Sequence, residues 1–197
     1  MAKSFNLELI KLNIAGCGLN LNSCRILNLF LLKSDRIKEL NLSSCKLANQ
    51  GARYIVDALI RNVTIRHMNI AHNDFSSSIY EFSIKIASML TRHPTLLHCD
   101  LSNCGFKREE CMFVVLAMSL SKNLLAVHMT GNDLSYYERI FMRALISARV
   151  DYNFKHDAQR SLVERNKERY QVMQMATKEY IEPELGQYLD RFEVLET

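Results

Sequence analysis

The sequence predicts a curved α/β solenoid, in which short parallel strands line a concave face and helices cover the convex face. One eleven-residue pattern recurs five times, with apolar residues at positions 1, 4, 6 and 11 and Asn or Cys at position 9. The copies begin near residues 9, 37, 65, 96 and 124. Start-to-start spacings of 28 to 31 residues indicate a repeat architecture, and an apolar period typical of a helix follows the strand pattern.

Each repeat is predicted to begin with a strand whose fourth and sixth positions point inward and whose third and fifth point outward, because side chains alternate along a strand. The ninth position takes the chain out of the strand. An Asn or Cys side chain there can bond backbone groups of the turn that would otherwise be buried without partners. The residues at this position are Cys17, Cys45, Asn73, Cys104 and Asn132.

Helices are predicted behind the strands, because apolar residues recur there at intervals of three and four. The residues that form these apolar rows in the second to fifth repeats are Ala52, Ile55, Leu59, Ile79, Phe82, Ile86, Leu90, Met112, Val115, Leu116, Ile140, Ala144 and Ala148. Strands that alternate with helices five times predict a parallel sheet in register.

The first helix, around Cys24–Lys33, is apolar on nearly every side, and such a helix is normally covered on several sides. Residues 1–8 are too few to form an amino-terminal cap. Two interpretations stay open: burial by this leader and the next repeat, or a partner-binding edge formed by Ile26, Leu29 and Phe30. The sequence does not decide whether the missing cap reflects truncation or assembly.

The predicted repeat domain covers residues 1–149, and a helical carboxy-terminal extension covers residues 150–197. Within the extension, a long helix with an exposed face is predicted to end before Pro183. A compact apolar stripe follows, made of Leu185, Tyr188, Leu189, Phe192 and Leu195. This stripe predicts either a cap on the fifth repeat or a helix that docks into a partner's groove.

The segment from Leu47 to Ile65, with Gly51, Ala58 and Asn62 at characteristic places, resembles a leucine-rich repeat of the ribonuclease-inhibitor-like class. His93-Pro94-Thr95-Leu96 is similar to the same repeat junction. The resemblance covers about three quarters of the chain and implies a leucine-rich-repeat solenoid that binds proteins. That class includes inhibitors, innate sensors, actin-end cappers, GTPase activators and ciliary scaffold subunits.

The outward rows of the strands are the predicted binding surface, since equal positions on neighbouring strands become lateral neighbours about 4.8 Å apart. His67 is expected beside His98, and Asp100 beside His128. Such histidine and aspartate side chains could bind zinc or form a pH-sensitive binding patch. Because the sequence has no metal-binding motif, we predict no metal and no cofactor. The predicted partner-binding residues of the concave face are Lys11, Asn13, Lys38, Glu39, Asn41, Arg66, His67, Asn69, His98, Asp100 and His128.

Composition and charge narrow the class of function. Residues 1–149 carry 18 Lys and Arg against 11 Asp and Glu, a net charge of +7, which favours acidic partners. No apolar run is long enough to span a membrane. The amino terminus lacks the apolar stretch of a signal peptide, so no signal peptide is predicted. Six cysteines without a C-x-x-C pair fit reduced structural thiols in an intracellular protein. The sequence has no basic stripe with interleaved aromatic residues, so nucleic-acid binding is not predicted.

The sequence therefore predicts a non-enzymatic protein-interaction or scaffold module. No nucleophile with a placed base and no phosphate-binding loop is present in the sequence. The resemblance favours a cytoplasmic subunit of a cytoskeletal or ciliary hetero-complex. The alternative is a reversible inhibitor or activator of an enzyme or GTPase that binds through the concave face.

Overall fold

The computed structural model describes residues 9–47, 49–76 and 80–155. At Asn49 and at residues 150–155 it describes the backbone only. Ile79 and the predicted helices beyond residue 155 lie outside the described residues. The chain divides into two compact units, Met1–Asp133 and Leu134–Thr197. The second unit therefore begins before the boundary at residue 149 that the repeats predict.

Strand and helix alternate five times along the described chain, as the repeats predict. The elements are β1 (Lys11–Asn13), α1 (Leu21–Lys33), β2 (Glu39–Asn41), α2 (Asn49–Arg61), β3 (His67–Asn69), α3 (Glu81–Arg92), β4 (His98–Asp100), α4 (Arg108–Leu120), β5 (Ala126–His128) and α5 (Tyr136–Lys155).

The five strands form one parallel sheet in the order β1-β2-β3-β4-β5. Equal repeat positions pair across the sheet, so that Glu39 lies opposite His67 and His67 lies opposite His98. The fourth-position side chains of β2 to β5 are buried beneath the sheet, as period-two alternation requires: Leu40, Met68, Cys99 and Val127. The predicted register is therefore confirmed.

Helices α1 to α4 pack in sequence order within the first unit. The predicted apolar rows of α2, α3 and α4 are buried where the structure describes them, for example at Ile55, Phe82 and Met112. Salt bridges join neighbouring helices at the surface, with Arg53 to Glu81 at 2.7 Å and Lys85 to Asp57 at 2.6 Å. No helix among the described residues is both long and apolar enough to cross a bilayer.

The apolar row predicted for α5 is wrong at Ile140, which is exposed. The buried apolar residues of this helix are instead Phe141, Met142 and Leu145. A capping box fixes its first turn: the Ser135 N–H donates to a Glu138 carboxylate oxygen at 2.6 Å, and the Glu138 N–H donates to Ser135 Oγ at 3.3 Å.

The ninth position forms the predicted polar ladder under the turns. Asn73 Nδ2 donates to the carbonyls of Leu42 at 2.9 Å and Ile70 at 2.8 Å, and its Oδ1 accepts from the Leu47 N–H at 3.0 Å. Where cysteine replaces asparagine, the thiol makes a smaller contribution: Cys45 Sγ donates to the Ile14 carbonyl at 3.0 Å. The ladder links the turns of the second to fifth repeats to the repeat before, whereas Cys17 in the first repeat is exposed.

A second polar row lies three residues before the second to fifth repeats begin. Sequence analysis names two of its members in the repeat resemblance but does not identify their common role. Its members are Ser34, Asn62, His93 and Ser121, and each side chain accepts hydrogen bonds from the backbone that enters the next strand. Asn62 Oδ1, for example, accepts from the Thr64 N–H at 2.9 Å and the Ile65 N–H at 3.0 Å. These residues close the helix-to-strand junctions from within.

Candidate functional site

The strand face, which we define as the outward side of the sheet formed by repeat positions 3 and 5, carries most of the predicted site. It encloses a shallow groove of about 300 Å³ along β1 to β4. Of the predicted residues, Lys11, Asn13, Glu39, Asn41, His67, Asn69, His98 and Asp100 line this groove. The strands therefore bring eight of the eleven predicted residues together on one surface.

The third-position row supplies the charges of the groove. Lys11 Nζ lies 2.8 Å from a Glu39 carboxylate oxygen, and both side chains are exposed. Surface ion pairs of this kind contribute about 1 kcal/mol or less, so the pair can exchange partners at little cost. Lys38 and Arg66 occupy the second repeat position, immediately before β2 and β3, and both are exposed. Neither of these two lines the groove.

The fifth-position row is largely engaged in local structure. Oδ1 of Asn13, Asn41 and Asn69 each accepts a hydrogen bond from the backbone N–H two residues later, at 2.9 to 3.1 Å. Asp100 does the same at 2.9 Å. These Asx turns orient the side chains and end the strands. A structural role thus accounts for these oxygens without any partner.

His128 breaks this row and turns toward β4. Its Nε2 lies 2.7 Å from Nε2 of His98, and the ring centroids are 4.6 Å apart. His67 is farther from His98, with ring centroids 6.0 Å apart. Burial lowers the pKa of His98, and neighbouring His128 and His67 lower it further, while Asp100 acts in the opposite direction. His98 is therefore neutral at neutral pH.

A second surface lies on α1. Cys24, Leu27 and Leu31 face the core, whereas Ile26 is 68% exposed and Leu29 is 58% exposed. Phe30 is half-buried. Residues 1–8 of the leader lie outside the described residues, so both interpretations of this helix stay predictions. We call the exposed row of Ile26, Leu29 and Leu32 the α1 face.

The cysteines and the larger clusters of possible metal ligands can be compared with what nucleophilic and metal sites require. All six cysteines are free thiols, and burial raises the pKa of Cys104 to about 12. Such a thiol stays protonated and unreactive at neutral pH. No group of three or more His, Cys, Asp or Glu side chains is placed to hold a metal ion within the described part of the chain.

The fold and the strand face define a protein of stacked strand–helix repeats. No known protein-family profile matches the chain. It is 29% identical over 100 residues to the human NACHT, LRR and PYD domains-containing protein 13 and 28% identical over 116 residues to the mouse protein 4C. These stretches cover 50% and 58% of this chain, but only 9% and 11% of the relatives, so it spans about a tenth of their length.

Solved structures share the fold. The tropomodulin C-terminal domain of Caenorhabditis elegans aligns over 77% of this chain and 87% of its own, with a TM-score of 0.59 and 15% identity. Leiomodin-1 actin-binding site 2 aligns over 85% of this chain and 91% of its own, with a TM-score of 0.64 and 17% identity. This chain therefore shares the fold of these solved structures, and in sequence it is similar to relatives that carry LRR domains. The ribonuclease-inhibitor-like class stays a prediction.

Proposed function

We propose that this chain is a non-enzymatic, protein-binding subunit of a larger intracellular assembly and that it docks through the α1 face. The observation that carries the proposal is the exposure of three large aliphatic side chains on one helix: Ile26 at 68%, Leu29 at 58% and Leu32 at 39%. A concentrated apolar row on a surface helix is typical of an interaction site, since covering it gains about 25 cal/mol per Å².

Charges around the α1 face indicate the chemistry of the partner. Arg25 and Lys33 lie on the same helix and are exposed. Arg25 also stacks over the Tyr54 ring at 5.4 Å, and its Nε donates to the Tyr54 hydroxyl at 3.2 Å. A partner with an apolar centre and an acidic rim would complement this surface. An acidic cytoskeletal filament, whether cytoplasmic or ciliary, is the class of partner that we propose.

Actin is the first partner to test, because the fold is shared with an actin-binding site of leiomodin-1. The similarity is in fold, at 17% identity, so the proposal rests on the α1 face and not on the comparison.

The alternative function is reversible regulation of another protein through the strand face. It is favoured by the groove of about 300 Å³ and by the exposed Lys11–Glu39 pair at its amino-terminal end. A reversible regulator would use polar contacts of this kind, whereas a permanent subunit would bury the α1 face.

The experiment compares three variants of the full chain in affinity capture from native lysate and in sedimentation with monomeric and filamentous actin. Ile26→Asp with Leu29→Asp disrupts the α1 face, and Glu39→Arg with His67→Glu changes the strand face. Val63→Asp is the matched control, because Val63 is a 60% exposed aliphatic residue outside both surfaces. Circular dichroism first confirms that each variant folds.

We expect the α1 variant to lose its partners by at least about tenfold, equivalent to 1.4 kcal/mol, while Val63→Asp retains them. Loss only in the strand-face variant would support the regulator instead. Equal binding by all three variants would reject both surfaces. Loss of actin sedimentation in the α1 variant would identify the assembly as cytoskeletal, and no sedimentation by wild type would exclude actin.

A further inference from the structure

The contact between His98 and His128 joins two imidazoles from different strands. β4 and β5 pair with Asp100 opposite His128, so His98 and His128 are diagonal neighbours. Their Nε2 atoms nevertheless approach to 2.7 Å, and both side chains stand on the outward side of the sheet. At this distance the two Nε2 atoms share a hydrogen bond, in which one ring donates and the other accepts according to their tautomers. If both rings carry their single proton on Nδ1, both Nε2 atoms become free to act as ligands in front of the strands.

This spacing of 2.7 Å is slightly shorter than the distance between two adjacent ligands of one metal ion. Imidazole nitrogens bind first-row metals at about 2.0–2.1 Å. Two ligands at right angles would therefore lie about 2.8–3.0 Å apart, as in the square-planar or octahedral coordination that Cu²⁺ and Ni²⁺ adopt. Tetrahedral Zn²⁺ needs a separation of about 3.3–3.4 Å, which requires the rings to move farther apart than the observed 2.7 Å.

We propose that His98 and His128 form a two-imidazole site for a divalent transition metal ion, with a preference for Ni²⁺ and Cu²⁺ geometry. The strands supply two ligands on the strand face, and the remaining coordination positions are open to water. Sequence analysis places these histidines in one zinc-compatible patch but predicts no metal, because no ligand motif is present. It does not show that the His128 ring reaches His98.

The surroundings of the pair favour the neutral imidazoles that bind metals. Half-burial of His98 disfavours its charged form, and this lowers its pKa. His67 lies on the far side of His98, with 6.0 Å between ring centroids. The Asp100 carboxylate accepts the Ser102 N–H at 2.9 Å and supplies a negative charge beside His98 that partly offsets the charge of a bound cation.

Equilibrium dialysis of the full chain against Ni²⁺ at pH 7.5, with metal analysis of the protein, tests the site. We expect His98→Gln and His128→Gln each to weaken Ni²⁺ binding by at least about tenfold, because one imidazole does not chelate. His67→Gln is the matched control, a histidine on the same face that we expect to stay within twofold of wild type. Paramagnetic broadening by Ni²⁺ should affect the His98 and His128 ring protons first.

Several outcomes would overturn the proposal. Wild type that binds no Ni²⁺ at about 1 mM, the weak limit of specific binding, has no site. Binding that survives either His98→Gln or His128→Gln places the ion elsewhere, and an equal loss in His67→Gln places it between β3 and β4. A shift from pH 7.5 to pH 5 should release the ion, since protonated imidazole cannot coordinate it. Retention at pH 5 would rule out imidazole ligands.

Discussion

Acidification from pH 7 to pH 4 is expected to remove about 3 kcal/mol of unfolding free energy through His93 alone. This side chain is 2% exposed, and burial lowers its pKa from 6.5 to about 4. Its Nδ1 accepts hydrogen bonds from the Leu96 N–H at 3.0 Å and the Thr95 N–H at 3.3 Å. The neutral ring therefore carries its proton on Nε2, for which no hydrogen-bond partner is present among the described residues.

A second proton would have to enter at Nδ1, where two backbone donors already point. Between pH 6.5 and pH 4 the unfolded chain binds this proton and the folded chain does not. Stability from this residue is therefore complete above pH 6.5 and decreases as the pH falls toward 4. The upper bound on this loss of unfolding free energy is the difference between the two pKa values multiplied by 1.36 kcal/mol per pKa unit.

His93→Asn isolates the effect, because Asn62 occupies the same junction one repeat earlier and accepts the equivalent backbone hydrogen bonds. Urea denaturation of both proteins between pH 7.5 and pH 4.5 gives the measurement. We expect the variant to be less stable by about 1 kcal/mol at pH 7.5, since it leaves a small cavity. It should be the more stable protein at pH 4.5. Parallel pH profiles would show that His93 does not carry the dependence.

The repeat pattern predicts the parts of the fold that depend on backbone periodicity. Alternation along each strand fixes Leu40, Met68, Cys99 and Val127 as buried, and equal spacing fixes which residues pair across the sheet. The ninth-position ladder is also predicted, because a turn with buried backbone groups needs a polar side chain. These features recur from repeat to repeat, so the five copies of the pattern, each weak alone, support the same prediction.

Features that occur only once are not predicted. The contact between His98 and His128 depends on rotamers that cross from one row of the strand face to another. His93 belongs to a row whose other members are Ser34, Asn62 and Ser121, so histidine occurs there only once and no single residue type marks the row. The α1 sequence is apolar on nearly every side, and hydrophobicity alone does not show that the face with Ile26 and Leu29 stays uncovered. In each case the missing information is the position of a neighbour.

Asn132→Ala is expected to destabilise the repeat unit by about 4 kcal/mol, the largest effect of a single substitution that we predict. Its Nδ2 donates to the carbonyls of Leu101 at 2.8 Å and Met129 at 3.0 Å. Its Oδ1 accepts from the N–H groups of Cys104 and Phe106, both at 3.1 Å. Each bond contributes about 1 kcal/mol. The Met129 carbonyl keeps the Asn132 backbone N–H at 3.3 Å, and the other three backbone groups belong to the buried residues Leu101, Cys104 and Phe106.

Two further variants separate the ladder from simple loss of an amide side chain. Asn69→Ala removes an asparagine of the strand face with one Asx-turn bond of 2.9 Å, and it should cost less than about 1 kcal/mol. Asn132→Cys should fall between the two, because Cys104 holds the same position one repeat earlier and its Sγ donates to the Ile70 carbonyl at 3.4 Å. The midpoints of urea denaturation at pH 7.5 measure all three. Equal losses for Asn132→Ala and Asn69→Ala would mean that the ninth position does not join the repeats, and the ladder would be only a local turn feature.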